Sequence, residues 1–252
     1  MKLLGGLGLV LLTGLIGAGA FRLLAPDAFA KTTGIGVSGK KRAAAAAARV
    51  KPRLERDLAR ANLKWGAPVF LRAFKDEKIL ELWIKETGKK TFKLFRTYPI
   101  AAASGKLGPK EREGDRQVPE GFYHVPPGMM NPQSRYHLAF NIGYPNQYDR
   151  KRGRTGSFIM IHGSNVSIGC LAMTDQKIEE IYSLCDAAHK KGQNFFRVHL
   201  FPFRLTDDRL SAQKGTKWYP FWQNLAEGYS WFETKKIPPN VTFSSTKYTF
   251  KE

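Results

Sequence analysis

From Val69 onward the chain breaks into short runs of β-branched and aromatic residues: "APVFLRAF", "KILELWIKE" and "TFKLFRTYPIA". Runs of this length and composition favour pleated strands over helices. Thr87-Gly88-Lys89-Lys90 stands between the second and third and reads as the turn of a hairpin. Loops rich in Gly and Pro follow, including "SGKLGPKEREGDRQVPEGFYHV" and "PPGMMNP", then "YHLAFNIGYP", "GSFIMIHG" and, later, "FFRVHLFPF". Many short strands between long turns predict a mostly β sandwich or barrel. One clear helix interrupts them. Thr174 or Asp175 is placed to cap it, Ile178, Ile181, Cys185 and Ala188 share one face, and Gly192 can end it.

The rest of the chain frames this unit. Met1-Lys2 precedes an apolar run over residues 3–21 and the small residues around Ala28-Phe29-Ala30. That order reads as a secretory signal cut after Ala30, or, left uncut, as an N-terminal membrane anchor. Residues 31–66 read as a basic, Ala-rich linker, or loose helix over 40–48, ending in a short helix that Pro52 would open, with Leu54, Leu58, Ala61 and Trp65 on one face. The strand-rich domain then spans 67–205. An aromatic extension over 206–252 is expected to pack back on it, with Trp218, Phe221, Trp222 and Leu225 at helical spacing.

Charge narrows the partners. The net charge is +20, which points to anionic surroundings such as nucleic acid, acidic lipid or a charged wall polymer. In residues 31–64 ten Lys/Arg stand against only Glu55 and Asp57, so a basic N-terminal arm carries much of the excess. No zinc-finger spacing, recognition-helix signature or RNA-binding aromatic motif accompanies it, which argues against nucleic acid. An anionic wall or membrane surface fits better.

The chemistry concentrates in "IMIHGSNVSIGCLAMTD", residues 159–175. A cysteine becomes a strong nucleophile when a histidine takes its proton or holds it as an ion pair. The apolar run before His162 would deliver it at a strand end, and the loop would then bring Cys170 back beside it. Gly169 permits unusual backbone angles, and N–H groups near Gly169 and Cys170 could face an oxyanion. A paired Cys170 should react well below the usual thiol pKa of ~8.5. The residue types leave two readings open: a reactive pair, or a buried cysteine beside a turn histidine. Cys185 reads as a small buried apolar residue rather than a second reactive thiol, and a Cys170–Cys185 disulfide would remove the nucleophile. His124, His137 and His189 read as solvated or structural, and His199 as the rival base. Glu111, Glu113 and Asp115 read as a solvated loop.

His-Gly followed by Ser-x-Gly-Cys resembles the signature of the L,D-transpeptidase (YkuD-type) catalytic domain family, and the compact spacing is similar to its YafK-like branch. "GAPVFLRAFKDEKILELWI", "FNIGYPNQYDR", "GRTGSFIMIHG" and "FWQNLAEGY" resemble that branch in the same order, so the likeness covers about residues 52–230. The resemblance implies the family's β fold and a cysteine enzyme acting on peptidoglycan stem peptides at the L-centre of diaminopimelate. Cys170 would be the nucleophile, His162 the general base and then acid, and the Gly163 carbonyl the group that orients His162. Ser167 and Gly169 would shape the oxyanion pocket, while Asn141, Tyr144 and Arg154 would line the cleft. No metal or organic cofactor is implied. Ala172 stands where the family usually has an arginine, which weakens the case for the usual tetrapeptide donor. Hydrolysis of a lipoprotein–peptidoglycan link is therefore the preferred expectation, ahead of L,D cross-linking. The competing reading is a non-catalytic wall-binding protein that keeps the fold.

Overall fold

The computed structural model describes residues 38–244 and 246–252. The expected signal or anchor at residues 1–30 lies outside the described residues. Among the described residues, no helix is long and apolar enough to cross a membrane.

Two five-stranded sheets form the body. The first contains β1 (Val69–Phe74), β2 (Ile79–Lys85), β3 (Phe92–Pro99), β5 (Gly121–Val125) and β10 (Phe196–Phe201), in the order β3-β2-β1-β10-β5. Only its β1–β10 pair is parallel. The expected hairpin joins β2 to β3, closed by the Glu86 N–H on the Thr91 carbonyl. The second sheet holds β4 (Ala102–Ala103), β6 (Met130–Asn131), β7 (Ala139–Asn141), β8 (Met160–His162) and β9 (Leu171–Ala172), in the order β4-β9-β8-β7-β6. These strands are so short that no alternation marks them in the sequence.

Alternation along the strands explains how the layers meet. Leu71, Leu82 and Val198 of the first sheet share one core with Phe140, Ile161 and Leu171 of the second. The residues between them in sequence, among them His162 and His199, therefore project outward from this core, in opposite layers. Helix α3 (Asp175–Lys190) adds Ile178, Ile181 and Cys185 to the same cluster.

Of the linker or loose helix expected over 40–48, the helix is what forms: α1 (Gly39–Arg60) runs through it, with Pro52 inside rather than at its start. Alanine has the highest helix propensity of any residue, so the Ala run propagates readily. Ala46, Val50, Leu54 and Leu58, spaced by four, are buried, and the helix lies against α3. That packing offsets the hydrogen bond lost at Pro52. The basic arm is correspondingly less free than its charge suggests. Arg49 pairs with Glu179 and Arg53 with Glu180, while Arg42 reaches the carbonyls of Ser134 and His137.

The outer face of the first sheet is covered by residues 206–252: α4 (Asp207–Ser211), α5 (Tyr219–Lys235), and the ribbon β11 (Asn240–Phe243)–β12 (Tyr248–Lys251). Trp222, Leu225 and Tyr229 of α5 bury against Phe74, Phe122 and Phe201. Beneath α5, Arg72 is almost completely buried and donates to Glu81 at 2.7 Å and Glu233 at 2.6 Å. The Trp83 indole and Arg204 also donate to Glu81.

Candidate active site

Strands β8 and β9 run parallel, with Ile161 opposite Leu171 and His162 opposite Ala172. Parallel neighbours usually need a crossover of a dozen or more residues; strands of three and two residues let the 163–170 loop suffice. The register sets Cys170 level with Met160, on the same outer face as His162 but displaced along it. The Met160 N–H donates to Cys170 Sγ at 3.3 Å, and the thiol lies 3.8 Å from the Phe158 carbonyl. Phe158 reaches this position with φ +53°, a backbone conformation unfavourable for a bulky residue.

His162 is 2% exposed. Its Nδ1 lies 2.6 Å from the Gly163 carbonyl oxygen. A carbonyl can only accept, so Nδ1 carries the proton and Nε2 presents a lone pair. The Tyr136 ring covers the imidazole at 4.7 Å. No hydrogen bond joins His162 to Cys170 directly. Burial pulls the His162 pKa down, against the Gly163 bond, and pushes the Cys170 thiol up, against the Met160 N–H and the Lys110 ammonium.

Burial thus works against the expected low-pKa thiolate, favouring neutral thiol and neutral imidazole over a standing ion pair. Alkylation of Cys170 should accelerate with pH along a profile displaced above the ordinary thiol value. Lys110→Met should displace it further, because the ammonium that favours the thiolate is gone. Rates of iodoacetamide labelling between pH 6 and 10, followed by intact mass, check both shifts.

Gly163 is small for a steric reason. A Cβ there would come within 2.5 Å of Asp175 Oδ1 and 2.7 Å of the Tyr136 carbonyl oxygen. The Asp175 carboxylate accepts from the Ser164 N–H at 2.7 Å, fastening α3 to the histidine loop. Thr174 has φ +71° and makes no side-chain cap, so Asp175 serves the loop instead of the expected cap. Gly163→Ala is expected to cost about 1–3 kcal/mol by overpacking and to lower activity together with stability. Thermal melting beside an acylation assay checks it.

The other expected residues divide. Ser167 Oγ donates to the Cys170 carbonyl at 2.6 Å and accepts from the Cys170 N–H at 3.0 Å. Gly169 has φ +93°, and its N–H donates to Ser104 Oγ at 2.6 Å. The two amides expected to face an oxyanion are thus held by hydroxyls, and Ser167 and Gly169 fix the cysteine's backbone. Asn141 shares the outer face with Met160, yet its side chain accepts from the Gly143 N–H. Tyr144 is buried with its hydroxyl near the Lys110 and Thr155 carbonyls. Arg154 is buried on Asp149 at 2.8 Å. Both side chains brace the 144–155 segment: the Tyr144 hydroxyl through two carbonyls, and Arg154 through one nitrogen on Asp149.

Ala172 is fully buried between Ala102 and His162. His199 lies in the first sheet, on the opposite side of the common core. Cys170 and Cys185 are both free, and Cys185 is buried. The 111–115 loop is more ordered than expected. Asp115 accepts from the Glu111, Arg112 and Gln117 amides and from Lys110, which holds its pKa at about 2. Ser104 and Lys110 lie in "SGKLGPKEREGDRQVPEGFYHV", a stretch that resembles the YafK-like branch, and Tyr136 in the loop before β7; none of the three stands in the His-Gly or Ser-x-Gly-Cys elements, and their shared signal is a place in long loops.

The family model of the L,D-transpeptidase catalytic domain (YkuD) matches residues 72–219. The chain is 44% identical over 183 residues to "Putative L,D-transpeptidase YafK" of Escherichia coli strain K12, covering 73% of this chain and 74% of that protein. Among solved structures, the helical cell shape determining protein Pgp2 of Campylobacter jejuni aligns with TM-score 0.42 and 20% identity, covering 75% of this chain and 79% of that one. A point variant of Pgp2 gives TM-score 0.44 and 24% identity, covering 66% of this chain and 56% of the variant. With a catalytic-domain match running from Arg72 to Tyr219 around this histidine and cysteine, the chain belongs to the L,D-transpeptidase catalytic domain (YkuD) family.

Proposed function

We propose that the protein is an exported, cell-envelope cysteine acyl-transfer enzyme acting on peptidoglycan stem peptides at the L-centre of diaminopimelate. The observation that carries this reading is the His162 Nδ1–Gly163 carbonyl bond. It leaves Nε2 unprotonated on the face that also carries the thiol. As sulfur attacks the substrate carbonyl, the thiol proton passes to Nε2, so charge forms only when the substrate has closed over the pair. The imidazolium then protonates the leaving amine, and a Cys170 thioester remains. Water or a second amine, deprotonated by His162, resolves it. Ser167 holds the Cys170 backbone on both sides and keeps the sulfur in place through both steps.

Hydrolysis of a lipoprotein–peptidoglycan link is the preferred outcome. Ala172 supplies no cation for the terminal carboxylate of a tetrapeptide donor, whereas a lysine side chain as leaving amine needs none at that point. Lipoprotein-linked sacculi and tetrapeptide muropeptides incubated with the protein decide it by mass. Release of lipoprotein ending in a free lysine supports the reading. A new diaminopimelate–diaminopimelate cross-link with the lipoprotein still attached overturns it in favour of transpeptidation.

A further inference from the structure

The four most exposed large hydrophobic side chains among the described residues are Ile168 (77%), Phe158 (72%), Val166 (53%) and Tyr136 (46%). They do not scatter, as single exposed apolar residues ordinarily do. Tyr136 lies over the His162 ring, and its carbonyl accepts from the Gly163 N–H at 3.0 Å. Phe158 sets its carbonyl 3.8 Å from the Cys170 thiol. Val166 and Ile168 flank Ser167, whose hydroxyl bonds both the N–H and the carbonyl of Cys170. An apolar collar therefore borders the histidine and the cysteine. Exposed apolar surface gathered in one place marks an interaction site.

Folding does not account for this collar. Phe158 holds φ +53°, a conformation that is costly for a bulky residue, and its exposed ring gains little burial in return. Val166 and Ile168 likewise lie outside the core. Bulky side chains left facing water do not stabilise the free protein, so their use lies in a bound state.

Their position narrows the occupant. The collar is continuous with the atom that is acylated, so whatever covers it is joined to the reacting carbonyl. A stem peptide of alanine, glutamate and diaminopimelate offers methyl groups and carboxylates but no bulky apolar side chain. A second stem peptide arriving as acceptor offers no more. A polypeptide carried by the leaving amine can supply what is missing. We propose that Phe158, Val166, Ile168 and Tyr136 dock bulky apolar side chains that neighbour the linking lysine of a polypeptide leaving group. This rests on the lipoprotein-link reading and goes beyond it, because it states what that polypeptide must present.

Two conjugates test it. In each, the L-centre carbonyl of diaminopimelate in a stem tripeptide is bonded to the side-chain amine of a peptide lysine, flanked by leucines in one and by serines in the other. At low substrate concentration the full chain should release the leucine peptide about ten-fold or more faster, and Cys170→Ala should bind the leucine conjugate more tightly by a similar factor. Ile168→Ser and Val166→Ser should remove most of this preference and leave cleavage of the serine conjugate unchanged; Phe158→Ser should lower the same ratio. A preference untouched by all three substitutions overturns the proposal. A dimer in sedimentation that Ile168→Ser dissociates overturns it in favour of a second copy of the chain. Leucine-selective binding by Cys170→Ala without cleavage by the parent removes the hydrolysis alone; cleavage of both conjugates at one rate removes this inference alone.

Discussion

Cys170→Ala is expected to abolish thioester formation on a stem-peptide donor, and His162→Gln to lower acylation by about 10³-fold or more. Members of such a unit fail together, and losing either leaves only binding and electrostatic assistance. The two variants separate by pH. Cys170→Ala is dead throughout, whereas His162→Gln should recover part of its rate in alkali, where solvent rather than Nε2 removes the thiol proton. Cys170→Ala should not melt much earlier than the parent, because Cys170 is only partly buried just before β9. Intact-mass detection of the acyl-enzyme measures the effect. Turnover by Cys170→Ala would end the assignment of Cys170 as the nucleophile, whereas a parent protein that forms no acyl-enzyme would leave the wall-binding alternative.

The largest stability loss is expected away from the cleft, at Glu81→Ala. Its carboxylate accepts from Arg72, Trp83 and Arg204 beneath α5. Removing it strands the Arg72 guanidinium among Phe74, Trp83, Tyr229 and Phe232, with only the half-buried Glu233 as counter-charge. Breaking a buried pair from one side costs about 3–5 kcal/mol. For a domain of this size that corresponds to roughly 10 °C in Tm. Replacing Arg72 and Glu81 together by leucine or methionine should restore much of the loss, because no buried charge is then left alone. Chemical denaturation of the parent, the single and the double variant checks the ordering, and a Glu81→Ala protein as stable as the parent would contradict it.

The parts legible in the sequence were those with a repeated physical signal. The β2–β3 hairpin follows from alternating aromatic and β-branched residues around Thr87-Gly88, and α3 from its apolar face ahead of Gly192. α1 was misplaced because two rules conflicted. Pro52 reads locally as a helix start, but the Ala run and the four-residue spacing of Ala46, Val50, Leu54 and Leu58 extend the helix across it. Strands β4 and β6 have two residues each, too few for a period. The placement of His162 and Cys170 on one face was readable from a strand end, a loop and Gly169. The neutral character of the pair was not, because burial depends on Tyr136 and other residues far away in sequence. Arg154 was placed at the cleft because its segment resembles a family branch; only the fold pairs it with Asp149.

The different surroundings of the two cysteines have a practical consequence. Cys185 is sealed inside the core and Cys170 is only partly buried, so a native chain offers electrophiles a single address. A covalent fragment library screened on the folded protein would give one mass increment per molecule, and each increment would report occupancy at Cys170 without a substrate assay.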